Sequence, residues 1–368
     1  MGRPVFSKPA YEAVMARVSS DPSRTHRAEQ SYRRTRSLNP LVDPKGFGVI
    51  RRSLPRFDEV DGKWLLTVGT PMPIEVRFDT TGSMGGNVEV ALDVLPNLYD
   101  LLKDNVLSRY DIQIAMGVFN DIVDEVVLCR SQFEMDEKIA EQLTYMLPLR
   151  GGGDGPEDPH YGLFGAAYLT SAYIDKIGLK GYDFTISDAT AHSRFDESQL
   201  VRVFGDEVFD KVAENGYQIS RRDLPSIKEV VDEMKKRTHP FFLQVGNDGS
   251  TRSFWEKMYG ADHIVVLPDT RLLPQVQAVI IGLTEGVIDL QSVEEFLLAN
   301  KVSKENAKQI ARSVSRIPIG AQALLPNFDK IPMAGDLFAE KTDLWPMSKS
   351  DAAAIVVAPT EAKVESWL

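Results

Sequence analysis

Along residues 71–286, short runs of β-branched and aromatic residues alternate with longer stretches whose apolar positions recur at helical spacing. Such alternation predicts a doubly wound, Rossmann-like α/β fold, with a mostly parallel sheet covered by helices on both faces. The strand candidates are 74–79, 112–120, 125–129, 182–187, 241–245 and 264–267. Several are almost wholly apolar, as strands buried on both faces are. Only Asp121, Ile122, Val123 and Asp124 separate the second candidate from the third. That gap admits a hairpin but no crossover helix, so one edge strand is expected to be antiparallel.

Between the strands, Val88, Leu92, Leu95, Tyr99 and Leu102 fall on one helical face, which Pro96 should kink or interrupt. Leu163, Ala167, Ala172 and Ile174 belong to a second apolar-rich helix. Further helices are expected over 223–237 and 250–259, each opening on a Ser or Asp suited to capping free N–H groups. The last helix of the sheet unit covers 270–286, with Val276, Val279, Ile280 and Leu283 on its apolar face.

The flanks divide the chain into an arm (1–70), the sheet unit (71–286), a small helical appendage (287–318) and an extended tail (319–368). In the arm, 64–68 is expected to pair with 47–50 as a hairpin. In the appendage, Ser292 with Glu295 resembles a capping box ahead of 296–298, and 303–316 reads as a second short helix. Prolines at 318, 326, 332, 346 and 359 break any periodicity in the tail. No internal repeat is present.

Composition narrows the setting. Hydrophobic residues at 43% and charged ones at 26% of 368 residues suit a globular chain with a buried core. A lone Cys129 excludes a disulfide framework and reads as a small buried side chain. No run approaches the ~20 consecutive apolar residues of a membrane span, and residues 1–17 lack the apolar core of a secretory signal. The expected location is cytoplasmic. The net charge of −11 hides a division: residues 1–56 hold twelve Lys and Arg against four acids, a balance of +8, and the remainder carries 30 basic and 49 acidic residues, or −19. Without aromatic stacking clusters the basic arm is read as a docking arm, not a nucleic-acid binder.

Candidate chemistry gathers at the predicted carboxyl ends of strands, where open α/β sheets bind ligands. Directly after the first strand stand Asp79, Thr81 and Ser83, a carboxylate and two hydroxyls at alternate positions in one turn. They suit a hard cation such as Mg²⁺, and equally a capped helix start. Asp188 follows the 182–187 strand, in the string Ile-Ser-Asp-Ala-Thr-Ala-His. The loop Gly-Gly-Gly-Asp-Gly-Pro-Glu-Asp, residues 151–158, adds three acids just before the helix that begins near His160.

Together these residues resemble the von Willebrand factor A (vWA) domain and its metal-ion-dependent adhesion site. That pattern is Asp-x-Ser/Thr-x-Ser after the first strand, a later Thr or acid from a loop, and an Asp after the fourth strand. Asp79, Thr81 and Ser83 match the first part and Asp188 the last. Gly-Asp-Gly-Pro-Glu looks like the Asp-x-Pro-Glu loop of the integrin β-subunit version, where the Glu is a ligand; Glu157 is carried over on that resemblance. The string also looks like vWA domains of alpha-kinase-related proteins. The integrin version places acids seven and eight positions beyond the first Asp for an adjacent metal site. Here Gly86 and Asn87 stand there, so that adjacent site is not expected. Asp154 corresponds to a ligand of a further Ca²⁺-type site, whose other ligands are not evident.

The resemblance implies a vWA fold over 71–286 and a site for Mg²⁺, or Ca²⁺ or Mn²⁺, made by Asp79, Thr81, Ser83, Glu157 and Asp188. A partner protein would supply an Asp or Glu to the ion's open position. It implies binding without turnover. Intracellular bacterial members often operate beside MoxR-type AAA+ ATPases, and this chain has no phosphate-binding loop of its own. An adaptor or scaffold role follows, with a structural role in a larger assembly such as a viral particle as an alternative. The last core helix slides in some members to switch affinity. A rival resemblance is to the haloacid dehalogenase superfamily, with Asp79 as nucleophile and Asp154 and Asp158 holding Mg²⁺. Thr80 in place of the Lys of P-type ATPases, the poor strand at 146–150 and the idle Asp188 weigh against it. The five scattered histidines show no zinc spacing, and His192 reads as a surface or packed residue.

Overall fold

The computed structural model describes Ala13 and residues 24–46, 49–95, 97–135, 137–152 and 155–343. Six strands form the central sheet: β1 (Thr70–Asp79), β2 (Tyr110–Phe119), β3 (Leu128–Arg130), β4 (Gly181–Ser187), β5 (Thr238–Val245) and β6 (Ile264–Leu267). Their spatial order is β6-β5-β4-β1-β2-β3. All pairings are parallel except β2 with β3, in register Gly117 to Arg130. The strand order reverses between β1 and β4, which puts a ligand-binding crevice at their carboxyl ends. The expected doubly wound sheet with an antiparallel edge strand is therefore the observed one.

Helices cover both faces. On one lie α1 (Asn87–Val94), α2 (Asn97–Asn105) and α6 (Leu273–Glu285), packed on Ile74, Val76 and Phe78 of β1 and Tyr182, Phe184 and Ile186 of β4. On the other lie α3 (Pro159–Tyr168), α4 (Ile227–Arg237) and α5 (Gly249–Tyr259), with Phe164, Val230 and Trp255 in a second apolar cluster. The strands alternate more than expected. Beneath α3, β1 and β4 present Glu75, Arg77 and Asp183, all buried, in place of aliphatic side chains. Arg77 is bonded to Asp183 and lies 3.1 Å from Glu75, and Arg130 of β3 reaches Glu75 at 2.8 Å. Buried charges persist only when paired in this way.

Several expected boundaries move, each for a local reason. β1 starts at Thr70 and runs through Pro71 and Pro73, because β4 pairs with it only from Ile74 onward and the prolines owe that side no N–H. The third strand is Leu128–Arg130, not 125–129. The Val88-to-Leu102 stretch divides into α1 and α2 on either side of position 96, and all five of its apolar residues are buried; Pro96 itself lies outside the described residues. The single helix expected through Leu163 and Ile174 ends at Tyr168, since Thr170–Ala172 pairs in parallel with Arg51–Ser53. A separate turn, Tyr173–Lys176, then holds Ile174. α4 begins at its Ser226 cap instead of 223, after Pro225, with a complete capping box to Glu229.

Among the described residues, the hairpin expected between 64–68 and 47–50 is not formed. Lys63–Leu66 pairs instead with Phe57–Val60, because Asp61 and Gly62, with φ of 51° and 73°, make the two-residue turn that matches strand twist. Phe47 and Gly48 lie outside the described residues. Leu337–Phe338 adds to the same small sheet. Ser292 caps Val293–Ala299 without a side-chain bond to it; its hydroxyl bonds Asp289, so the box with Glu295 is not made. The second appendage helix is Lys304–Ser313, capped by Ser303. Helices at Arg24–Thr35, Glu137–Leu143, Glu197–Phe204 and Val208–Glu214 were not expected. Several basic side chains of the arm engage the body: Arg36 forks onto Glu125 at 2.6 Å, and Arg56 meets Asp111 at 2.6 Å. Among the described residues, no helix is long and apolar enough to cross a membrane.

Candidate metal centre

β1 delivers Asp79 to the carboxyl edge of the sheet with no exposed surface. Beyond it the chain turns sharply into a short 3₁₀ turn, Gly82–Met84. Asp79 Oδ1 accepts from the Thr81 backbone N–H at 2.9 Å and from the Thr81 hydroxyl at 2.7 Å. The Thr81 and Ser83 hydroxyls lie 3.3 Å apart, and Ser83 donates to Asp188 Oδ1 at 2.9 Å. Four of the five predicted residues are therefore joined in one unbroken chain of oxygens. The turn stays in place because Thr80 faces the other way, its backbone N–H donating to the Phe119 carbonyl at 3.0 Å and its hydroxyl to Asn120 Oδ1 at 2.6 Å at the end of β2.

Glu157 reaches the same place from the glycine-rich loop. Its backbone pairs with the strand-end segment after β4, donating to the Thr190 carbonyl at 2.9 Å and accepting from His192 N–H at 3.2 Å. Gly152 has φ of +117°, a backbone conformation that side chains rarely adopt, and glycine is needed there for that reason; a Cβ would meet Glu157 Oε1 at 3.4 Å and Thr81 Cβ at 3.6 Å, in ordinary contact. Gly82 N–H donates to the Gly151 carbonyl at 2.8 Å, tying this loop to the Thr81–Ser83 turn. Asp154 lies outside the described residues.

Electrostatics leave the site short of positive charge. Burial pushes the Asp79 carboxyl up to about 6, against the hydrogen bonds from Ser187 and Thr81 that hold it down. Burial, then the neighbouring Asp79, push Glu157 up to about 8. Glu157 Oε2 is buried with no hydrogen-bond partner. Among the described residues, no group of three or more His, Cys, Asp or Glu side chains is placed to hold a metal ion; beside its carboxyls the site offers the Thr81 and Ser83 hydroxyls. Two crowded carboxyls, one orphaned oxygen and a row of hard oxygen donors fit a divalent cation such as Mg²⁺.

Sequence reasoning missed Asp121 and Ser187. Asp121 follows β2, is buried, and its Oδ2 lies 3.9 Å from the same point above Gly152 that Glu157 and Thr81 border. Its signal is an acid at a strand's carboxyl end, but in the sequence it stands only as part of the four-residue gap that admits a hairpin. Ser187 donates to Asp79 Oδ2 at 2.5 Å. Asp158 and His160 do other work: Asp158 Oδ2 accepts the Ile122 N–H at 2.6 Å, and His160 packs against Tyr161 and Phe195 with its imidazole pushed down to about 3 by burial. Asn87, where an adjacent-site acid would stand, accepts from Thr270 at 2.8 Å at the start of the last core helix.

No family model and no curated protein matches the sequence. Among solved structures, the chain is similar to proximal thread matrix protein 1 of the mussel byssus, at 11% identity and TM-score 0.38 over 58% of this chain and 48% of that one. A further structure of that protein, described with a zinc-occupied metal-ion-dependent adhesion site, gives 12% identity and TM-score 0.38 over 58% and 48%. The pilus adhesin SpaC of Lactobacillus rhamnosus GG gives 12% identity and TM-score 0.39 over 63% of this chain and 34% of that one. This chain thus spans about half the length of the first and a third of the other. These likenesses carry no functional argument; the vWA-like reading rests on the strand order and the oxygen chain at its switch point.

Proposed function

We propose that this chain is a protein-binding module dependent on a divalent cation, Mg²⁺ by preference of its hard oxygen donors, with Ca²⁺ or Mn²⁺ as substitutes. Asp79, Thr81, Ser83, Glu157 and Asp188 would hold the ion. When bound, the cation offers an open position to a carboxylate of the partner and links acidic groups that otherwise repel. The observation that carries the reading is the continuous run from Asp79 through Thr81 and Ser83 to Asp188, with the unpartnered Oε2 of Glu157 beside it.

Binding without turnover is part of the proposal. Asp79 is enclosed and both of its oxygens already accept hydrogen bonds, which suits a fixed ligand better than an attacking nucleophile. Asp158, a metal ligand in the dehalogenase-like alternative, is engaged with the Ile122 amide. An intracellular setting, adaptor work beside an AAA+ ATPase, or a place in a larger assembly would use the appendage as a second surface.

Thermal unfolding with Mg²⁺, Mn²⁺ or Ca²⁺ against chelator tests the ion. At a metal concentration a hundred times its dissociation constant, stabilisation of about 2.7 kcal/mol is expected. Asp79→Ala and Asp188→Ala should abolish it, and an unchanged response in both variants overturns the site. Affinity capture in Mg²⁺ against chelator then reads the partner: metal-dependent recovery of an AAA+ ATPase supports the adaptor role, and a metal-indifferent set of particle proteins supports the structural one.

A further inference from the structure

We infer that Thr251 and Trp255, on a helix that contributes none of the proposed ligands, are positioning residues that set Asp188 and, through its loop, Glu157. The inference rests on the proposed reading of the site and deepens it. Thr251 Oγ1 donates to the Asp188 carbonyl at 3.1 Å, and Trp255 Nε1 donates to the Ala189 carbonyl at 2.9 Å. The two residues stand one turn apart on α5 and therefore share a face, so two consecutive peptide carbonyls are gripped by one rigid element.

That element cannot follow the loop. Trp255 is wholly buried and stacks on Phe242 with ring centroids 4.4 Å apart. The start of α5 is fixed by Asp248, whose side chain accepts from Thr251 N–H at 2.7 Å. From the opposite side, the Ala189 amide donates to Ser187 Oγ at 3.0 Å, and Ser187 in turn holds Asp79. The next residues carry the bridge to Glu157, through the Thr190 carbonyl and the His192 amide. A five-residue stretch thus carries the Asp188 side chain, receives the clamp from α5 and registers the backbone of Glu157. Without the two donors this stretch keeps Ser187, the Ser83 hydroxyl and its pairing with Glu157 but loses its tie to a rigid helix, and both acids gain freedom that ion binding must remove.

The test uses the full chain and the variants Thr251→Val, Thr251→Ser and Trp255→Phe. In chelator, amide hydrogen exchange is measured at Glu157, Ala189 and His192, with β2 amides as the global reference. Mg²⁺ is then titrated by calorimetry. Thr251→Val and Trp255→Phe should each speed exchange at the three loop amides about fivefold, the equivalent of one net hydrogen bond, with β2 unchanged, and weaken Mg²⁺ binding by a similar factor. Thr251→Ser, which keeps the hydroxyl, should restore both. Unchanged loop exchange, faster exchange with unchanged Mg²⁺ affinity, or a Ser variant that behaves like the Val variant overturns the clamp. If Trp255→Phe fails to fold, the Thr251 pair decides alone. A parent chain that binds no Mg²⁺ sinks the ion reading, and the exchange data still decide whether the clamp exists.

Discussion

Ser187 donates its hydroxyl to Asp79 Oδ2 at 2.5 Å, and this bond ties the carboxyl end of β4 to that of β1 where the strand order reverses. The Ser187 hydroxyl oxygen in turn accepts the Ala189 amide at 3.0 Å. One small side chain therefore aligns the two strand ends that present Asp79 and Asp188.

Replacing Ser187 with Ala should weaken Mg²⁺-dependent stabilisation more than it lowers the stability of the metal-free chain. Two hydrogen bonds are lost, worth about 1–3 kcal/mol together, and the burden falls on the loop that ion binding needs ordered. Thermal unfolding with and without Mg²⁺ separates the two effects. An equal loss in both conditions would assign Ser187 to the fold alone.

Gly162 lets α3 ride over the buried Arg77: an added Cβ would stand 2.4 Å from Arg77 Cδ. Alanine in a helix interior normally gains up to about 1 kcal/mol over glycine, but Arg77 is bonded to Asp183 and has nowhere to move. Overpacking should win, with a net destabilisation of about 1–3 kcal/mol. Gly165→Ala, whose nearest contact is 3.2 Å to Arg130 Nη1, should cost less. Urea unfolding midpoints of the two variants compare them directly.

The Arg77–Asp183 pair joins β1 to β4 with no exposure to water. Asp183→Leu alone should cost about 3–5 kcal/mol, because it leaves a buried guanidinium with only Thr185 and a Glu75 that it shares with Arg130. Arg77→Met with Asp183→Leu should recover much of that loss by removing both charges. A double variant less stable than either single one would contradict this coupling.

At the base of the sheet, Glu285 accepts from Tyr182 at 2.7 Å and Tyr110 at 3.2 Å. Burial raises its carboxyl from an ordinary 4.5 to about 7, more than the tyrosine hydrogen bonds hold it down. The folded chain therefore keeps a proton that the unfolded chain releases. The stabilisation is complete below pH 4.5 and is lost as pH rises through 7, a change of about 3 kcal/mol. Glu285→Gln should flatten that part of the stability profile. Denaturant titrations at pH 5 and 8 read the difference, and an identical slope in parent and variant would rule Glu285 out as its source.

The alternation of strands and helices, the antiparallel edge and the clustering of Asp79, Thr81 and Ser83 were legible in the chain itself, whereas Asp188 and Glu157 joined them on a family resemblance. Period-two and helical spacing report burial directly, and Asp79, Thr81 and Ser83 lie within one turn, so local geometry brings them together. The hairpin partner of Lys63–Leu66 was missed although Asp61-Gly62 is a local two-residue turn signal, because the pairing was sought with a more distant segment. Asp121 escaped because its neighbours at the site, Glu157 and Thr81, are remote in sequence. Only the tertiary fold decided that Ser187 reaches Asp79, that α5 grips the Asp188 loop and that Arg77, Glu75 and Asp183 form a charged layer under α3. Each of these is a contact between strands or helices separated by many residues, set by packing and by the need to pair every buried polar group, which no local pattern encodes.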